Sequence, residues 1–174
     1  VKSMVSDCNC LNGRYTEYFA PEIKPFINDL IIDPYKKKRK YEEYIFDEVL
    51  KDKDEQFYEN RKIGENESVL CEIIRNDSVI DFITKYNKQN FSLNTRIKTS
   101  VFETNNFLIR NRPRLIEYAA FFGAVQIIKY LFLNDIKLDS FSWLYAVHSN
   151  NAELIHFLEE NQIHPIYKSY KETF

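Results

Sequence analysis

Glycine and proline are scarce, with 3 Gly and 5 Pro in 174 residues. Tight hairpins draw on both, so a β-sandwich or barrel lacks its turn material and helices are favoured. Three glycines leave little for a phosphate-cradling loop. No Walker, G-x-S-x-G, H-E-x-x-H or G-x-G-x-x-G pattern occurs. Cys8, Cys10 and Cys71 form no even framework, which suits a reducing compartment. Neither sign of charge dominates: 24 Lys and Arg face 26 Asp and Glu, for a net charge of -2. Without a global basic field, nucleic acid is not an expected partner. No apolar run approaches the roughly 18 residues of a membrane span, so no membrane is expected either. Val1 to Ser6 lacks the apolar core of a secretory leader. A cytoplasmic location is therefore expected. The first residue is not Met and the last stretch looks helical, so the sequence is expected to be a fragment of a longer chain.

What is present is enough to build a core. Hydrophobic residues make up 44% and aromatic residues 16%, with 12 Tyr and 14 Phe. The apolar residues repeat. Tyr118-Ala-Ala-Phe-Phe-Gly-Ala-Val-Gln-Ile-Ile-Lys-Tyr-Leu131 lies over Tyr145-Ala-Val-His-Ser-Asn-Asn-Ala-Glu-Leu-Ile-His-Phe-Leu158 without a gap. The offset is 27 residues, from 118 to 145. A fainter copy, Leu70 to Ile83, sets Val79, Ile80, Phe82 and Ile83 on the slots of Ile127, Ile128, Tyr130 and Leu131 at an offset of 48.

Each copy reads as two short helices. Ala119 and Ala146 let the first helix pack closely. A polar break follows at Gly123, Asn150-Asn151 or Asn76-Asp77, and a second helix then carries a wide apolar stripe. Neither helix buries its apolar face alone, but stacked pairs do. Between the copies, Ser100-Val-Phe-Glu103 fits a capping box and predicts a helix over 101–109, with Pro113 at the start of the next. Upstream, Glu22 to Ile32 and Lys40 to Lys53 look helical around Asp33-Pro34, and Lys168 to Phe174 looks like the opening of another helix.

Residues 114–139 resemble an ankyrin repeat, of a divergent branch expanded in some single-celled eukaryotes. Ile116, Ala119, Ala120, Gly123, Ile127, Ile128, Leu131 and Leu138 fall on the family's slots. Arg114, Leu115 and Glu117 depart from its Thr, Pro and His. The 27-residue spacing is about six short of the family's period of about 33, and the missing residues fall where its β-hairpin projects. The resemblance implies an all-α, ankyrin-like helical-repeat solenoid of stacked antiparallel helix pairs with short or absent β-hairpins. Residues 1–60 would form an N-terminal helical cap or degenerate repeats with a loose start. Residues 61–174 would form the array, with repeats at 66–94, 114–139 and 141–166 and the start of another at 168–174.

The same resemblance implies a binding face. Ankyrin arrays bind through hairpin tips and the exposed side of their inner helices. The variable slot maps to Phe121 and Phe122 in one repeat and to His148 and Ser149 in the next, with Tyr118 and Tyr145 one turn earlier. An aromatic there anchors a partner; the alternative is that it packs against the neighbouring repeat. Trp143 reads as core.

Other candidates are weaker. Lys36-Lys-Lys-Arg-Lys40 is a nuclear-import or phosphate-contact pattern, or a solvated charge run beside Glu42 and Glu43. Cys8-x-Cys10 lacks further metal ligands, and His148, His156 and His164 have no finger-like spacing. No nucleophile with a matching base announces itself. The expectation is a protein–protein interaction scaffold without catalysis, cofactor or metal, with another protein as its partner. The alternatives are a spacer or self-assembly element of a longer chain, and a nuclear factor acting through the basic run.

Overall fold

The computed structural model describes residues 17–23 and 55–165 of the chain. Cys8, Cys10, the Lys36–Lys40 run, the predicted helix over 40–53, most of the one over 22–32, and the helical start at 168–174 lie outside the described residues. Among the described residues every regular element is a helix, so the fold is all-α. The only β-type pairing there is an isolated bridge between Arg96 and Arg114.

The chain divides into two compact units. The first includes a helical turn α1 (Ala20–Ile23), α2 (Glu55–Ile63) and the segment 100–104. Arg61 organises it. Its guanidinium pairs with Glu22 at 2.7 Å and lies over the rings of Tyr18 and Phe57. Phe57 meets Phe102 edge-on, with centroids 5.3 Å apart. Thr104 holds the left-handed turn at Gly64 with two hydrogen bonds to the Gly64 carbonyl, one from its N–H and one from its hydroxyl.

The second unit contains three helix pairs. They are α3 (Val69–Arg75) with α4 (Val79–Gln89), α6 (Leu115–Phe122) with α7 (Val125–Leu133), and α8 (Ser142–Ser149) with α9 (Ala152–Glu160). A short α5 (Asn106–Asn111) stands between the first two pairs. Each pair turns through one left-handed residue: Asp77, Gly123 or Asn150. These are the polar breaks the sequence marks, and Gly, Asn and Asp are the residues that tolerate that conformation best. The first helices pack side by side in the order α3, α6, α8, and α7 packs on α4. Ala119, Ala120 and Ala146 are fully buried, as close helix approach requires. Ile127, Ile128, Leu131, Leu154 and Leu158 fill the core beneath.

Neighbouring turns are hydrogen-bonded to each other. The N-cap position of α7 is Ala124, which has no side-chain acceptor. Asp77, in the turn of the preceding pair, supplies the cap instead: its carboxylate accepts from the Gln126 and Ile127 amides at 3.0 Å each. Asn151 caps α9 through its Oδ1 and donates from Nδ2 to the Gly123 carbonyl at 3.2 Å.

Two expectations are corrected. The first pair is not in the 48-residue register. N-cap spacing is 46 residues for both helices, from Ser68 to Arg114 and from Ser78 to Ala124, against 27 from Arg114 to Phe141 and from Ala124 to Asn151. The 48-residue register sets Ile80, which is 76% exposed, on the slot of fully buried Ile128. The helix predicted over 101–109 begins later, at Asn106. Ser100 accepts from the Phe102 amide rather than capping a helix, while Asn105 accepts from the Phe107 and Leu108 amides and is the true N-cap. Residues 100–104 belong to the other unit, which no local motif could have indicated.

Candidate protein-binding face

The first helices of the pairs bring the sequence-predicted residues into one neighbourhood and sort them by depth. Tyr118 on α6 and Tyr145 on α8 hold the same slot, 27 residues apart, and both are buried. A partner-anchoring role for these two is therefore corrected: their rings belong to the core between helices. Tyr118 also accepts a hydrogen bond from Arg75 of α3 at 3.0 Å. The Tyr145 phenol is pushed up to about 12, chiefly by burial and further by the Glu117 carboxylate, with Asp139 adding a little. Arg96 and Arg114 oppose the shift.

The other four reach the surface. Phe121, Phe122 and Ser149 are half-buried and His148 is exposed. Phe121 stands against Phe122 and His148, with centroids 5.0 and 4.8 Å away. Phe122 packs on Tyr118 at 4.8 Å, and the Arg75 guanidinium lies 6.0 Å from its centroid, in cation–π range. The Ser149 hydroxyl turns inward to the Ala146 carbonyl at 2.7 Å, so it closes the helix end rather than facing outward.

One participant was missed from sequence. Phe107 of α5 stacks on Phe121 with 18° between ring planes, meets Tyr145 at 4.9 Å and lies 4.9 Å from His148. It has no counterpart in the repeat, so the alignment passed over it. The available signal was the apolar triplet Phe107-Leu108-Ile109 between Asn105-Asn106 and Asn111. Together Phe107, Phe121, Phe122, Tyr145 and His148 make a ring cluster on the first-helix face, with the Arg75 cation at one side.

A second apolar surface lies on α8. Phe141, Leu144 and Val147 recur every three residues and are exposed, without a charged residue among them. Trp143, expected in the core, is half-buried and fastened by a 2.8 Å bond from its indole N–H to the Ile163 carbonyl.

The arrangement offers contact area and shape. Among the described residues no three His, Cys, Asp or Glu side chains converge as metal ligands. No helix among them is long and apolar enough to cross a membrane. No family model, curated protein or solved structure matches the chain.

Proposed function

We propose that this chain is a protein–protein interaction module, built as an ankyrin-like helical-repeat solenoid and without catalytic chemistry of its own. The ring cluster on the first helices carries this reading. Large flat side chains, fixed by packing and partly open to solvent, are what interface anchors are made of. The solenoid reading is supported by the 27-residue spacing of N-caps, the left-handed turn inside each pair and the alanines between first helices. The blunt junction between α7 and α8 fits an ankyrin-like pair that has lost its hairpin. Recognition would be docking onto helices that are already in place, so little ordering entropy is lost.

The test is an affinity pull-down from the native lysate with the wild type beside a Phe122→Ser, His148→Ala variant, both checked for helical content by circular dichroism. A partner held by the wild type and lost by the variant is the expected result. The same partners on both would discard this face.

The exposed Phe141, Leu144 and Val147 favour a second reading, a self-assembling spacer. Sedimentation of the wild type against Leu144→Lys, Val147→Lys separates the two. A concentration-dependent shift in the wild type alone would favour assembly. The nuclear alternative rests on Lys36–Lys40; replacing the run with Gln would abolish nuclear accumulation if it holds. The cytoplasm is the proposed location otherwise.

A further inference from the structure

We infer that the paired segments around Arg96 and Arg114 form a basic ribbon that docks an acidic, extended segment of a partner protein. The inference rests on the interaction-module reading and adds to it the partner's chemistry. It starts from where the charge lies. The chain as a whole carries -2, yet residues 90–114 hold the cations Arg96, Lys98, Arg110, Arg112 and Arg114 against a single acid, Glu103, which is buried.

The backbone gathers these cations. The Ile97 N–H donates to the Pro113 carbonyl at 2.8 Å and the Leu115 N–H to the Thr95 carbonyl at 3.0 Å, which sets Arg96 directly opposite Arg114. Ile97 and Pro113 turn into the core and are buried. Their neighbours turn out: Arg96, Lys98 and Arg112 are exposed, and Arg114 is half-buried. Two of the cations are locked in place. One terminal nitrogen of Arg96 donates to the Arg112 carbonyl at 2.7 Å and to that of Asn111 at 3.4 Å, at the end of α5. Arg114 is held by Glu117 at 2.7 Å and by Asp139 at 3.4 Å. Cations fixed before a partner arrives lose less side-chain freedom on binding. Arg96 and Arg114 also act on the Tyr145 phenol, so the ribbon adjoins the ring cluster.

The spacing says what fits. Residues two apart on an extended segment stand roughly 7 Å apart on one side. An extended peptide repeats its own side chains at that interval, so carboxylates on alternate residues meet Arg96 and Lys98 in step. A phosphate chain, charged at every unit, would run on to Asp139, which stands exposed beside Arg114. A protein segment places its charges only where the cations are.

The probe is a fluorescein-labelled peptide of alternating Glu and Thr, with four Glu, titrated by anisotropy into the full chain. Its neutral twin carries Gln for Glu. The Lys36–Lys40 run also attracts acids, so every host is measured with that run intact and with it replaced by Gln. Wild type is expected to bind the acidic peptide and not the neutral one. Lys98→Glu, Arg112→Glu should weaken binding about tenfold, because each reversal turns an attraction into a repulsion. Lys62→Glu, Lys85→Glu makes the same change of net charge on α2 and α4 and should cost less than about twofold, since salt screens distant charges. A peptide with the same Glu count at every third position should bind more weakly, because its carboxylates fall on alternate sides. Equal loss in the two charge-reversed hosts would overturn the inference. So would equal binding of the two spacings, or binding that vanishes with the Lys36–Lys40 run. Tighter binding of an oligothymidylate of the same length would overturn it in favour of nucleic acid. Should the double variant lose its helical signal, Lys98→Glu alone takes its place, with a loss of about threefold expected. The two readings fail separately. Ribbon-dependent peptide binding supports this inference whatever the pull-down returns, and a lysate partner held by Phe122 and His148 does not rescue it if the peptide is ignored.

Discussion

The pairs α6–α7 and α8–α9 are two copies of one pattern with different fates. Slot by slot they match across 27 residues, including the buried Tyr118 and Tyr145 and the left-handed Gly123 and Asn150. Yet Glu117 and Ala120 of α6 are buried, while their slot-mates Leu144 and Val147 of α8 are 52% and 66% exposed. The sequence runs against the burial: the acid is inside and the aliphatics outside. The cause is position. α6 is flanked by α3 and α8, and Glu117 is kept tolerable there by the Arg114 backbone N–H at 2.7 Å and its Nε at 2.8 Å. α8 packs chiefly on α6 and α9, and Leu144 and Val147 are left exposed. Neighbours decide burial in a stack, and the local pattern only permits it.

The sharpest way to break this comparison is to cut the same slot in both pairs. Leu131→Ala should cost about 2–5 kcal/mol in urea unfolding, the range for a fully buried leucine. Leu158→Ala, equally buried but in the last described pair, should fall at the low end of that range. A larger loss at Leu158 would show that the two pairs are not ordered by their neighbours.

Alkaline titration comes next. With its folded value near 12 against 10.0, the Tyr145 phenol ionises first in the unfolded chain. Its contribution is intact below pH 10 and is lost as the pH rises from 10 towards 12. Tyr145→Phe should flatten the dependence of the urea midpoint over that window. An unchanged slope would mean that the burial of this slot does not govern its proton.

The turns give a smaller contrast. A Cβ at Gly123, where φ is +69°, would stand 3.1–3.2 Å from atoms of Ser149 and Asn151. Gly123→Ala should cost about 1–2 kcal/mol, the left-handed penalty for an ordinary residue. Asn150→Gly, at φ 50°, should be neutral or slightly stabilising. Equal effects by thermal melting would remove the claim that the two turns share one geometry. The smallest effect belongs to Leu144→Ala, expected within about 0.5 kcal/mol because the side chain is exposed in the monomer. A greater loss, growing with protein concentration, would mean that this face is covered in solution.

The repeat made much of this legible in sequence. From Arg114 onward a gapless offset fixed both helices of two pairs, their turns and the buried aliphatic slots. The first pair was found but set two residues out of register, because Ile80 is apolar and exposed while Phe82 alone is deeply buried in its second helix. For Tyr118 and Tyr145 the sequence leaves anchor and core packing both open, because an aromatic one turn before a variable slot reads the same whether it points into the stack or out of it. α5 was misplaced because its true cap, Asn105, competes in sequence with a better-looking motif at Ser100. Phe107 was invisible to any argument from repetition, since it occurs once.

The bonds between successive turns set how these pairs can move. Apolar faces slide over one another at little cost, because dispersion has no preferred direction. The bonds from Asp77 to the start of α7, and from Asn151 back to Gly123, do not slide: each loses its geometry within a fraction of an ångström. They act as detents along one edge of the stack. They tie each turn to the next pair and so fix the register of neighbouring pairs against one another.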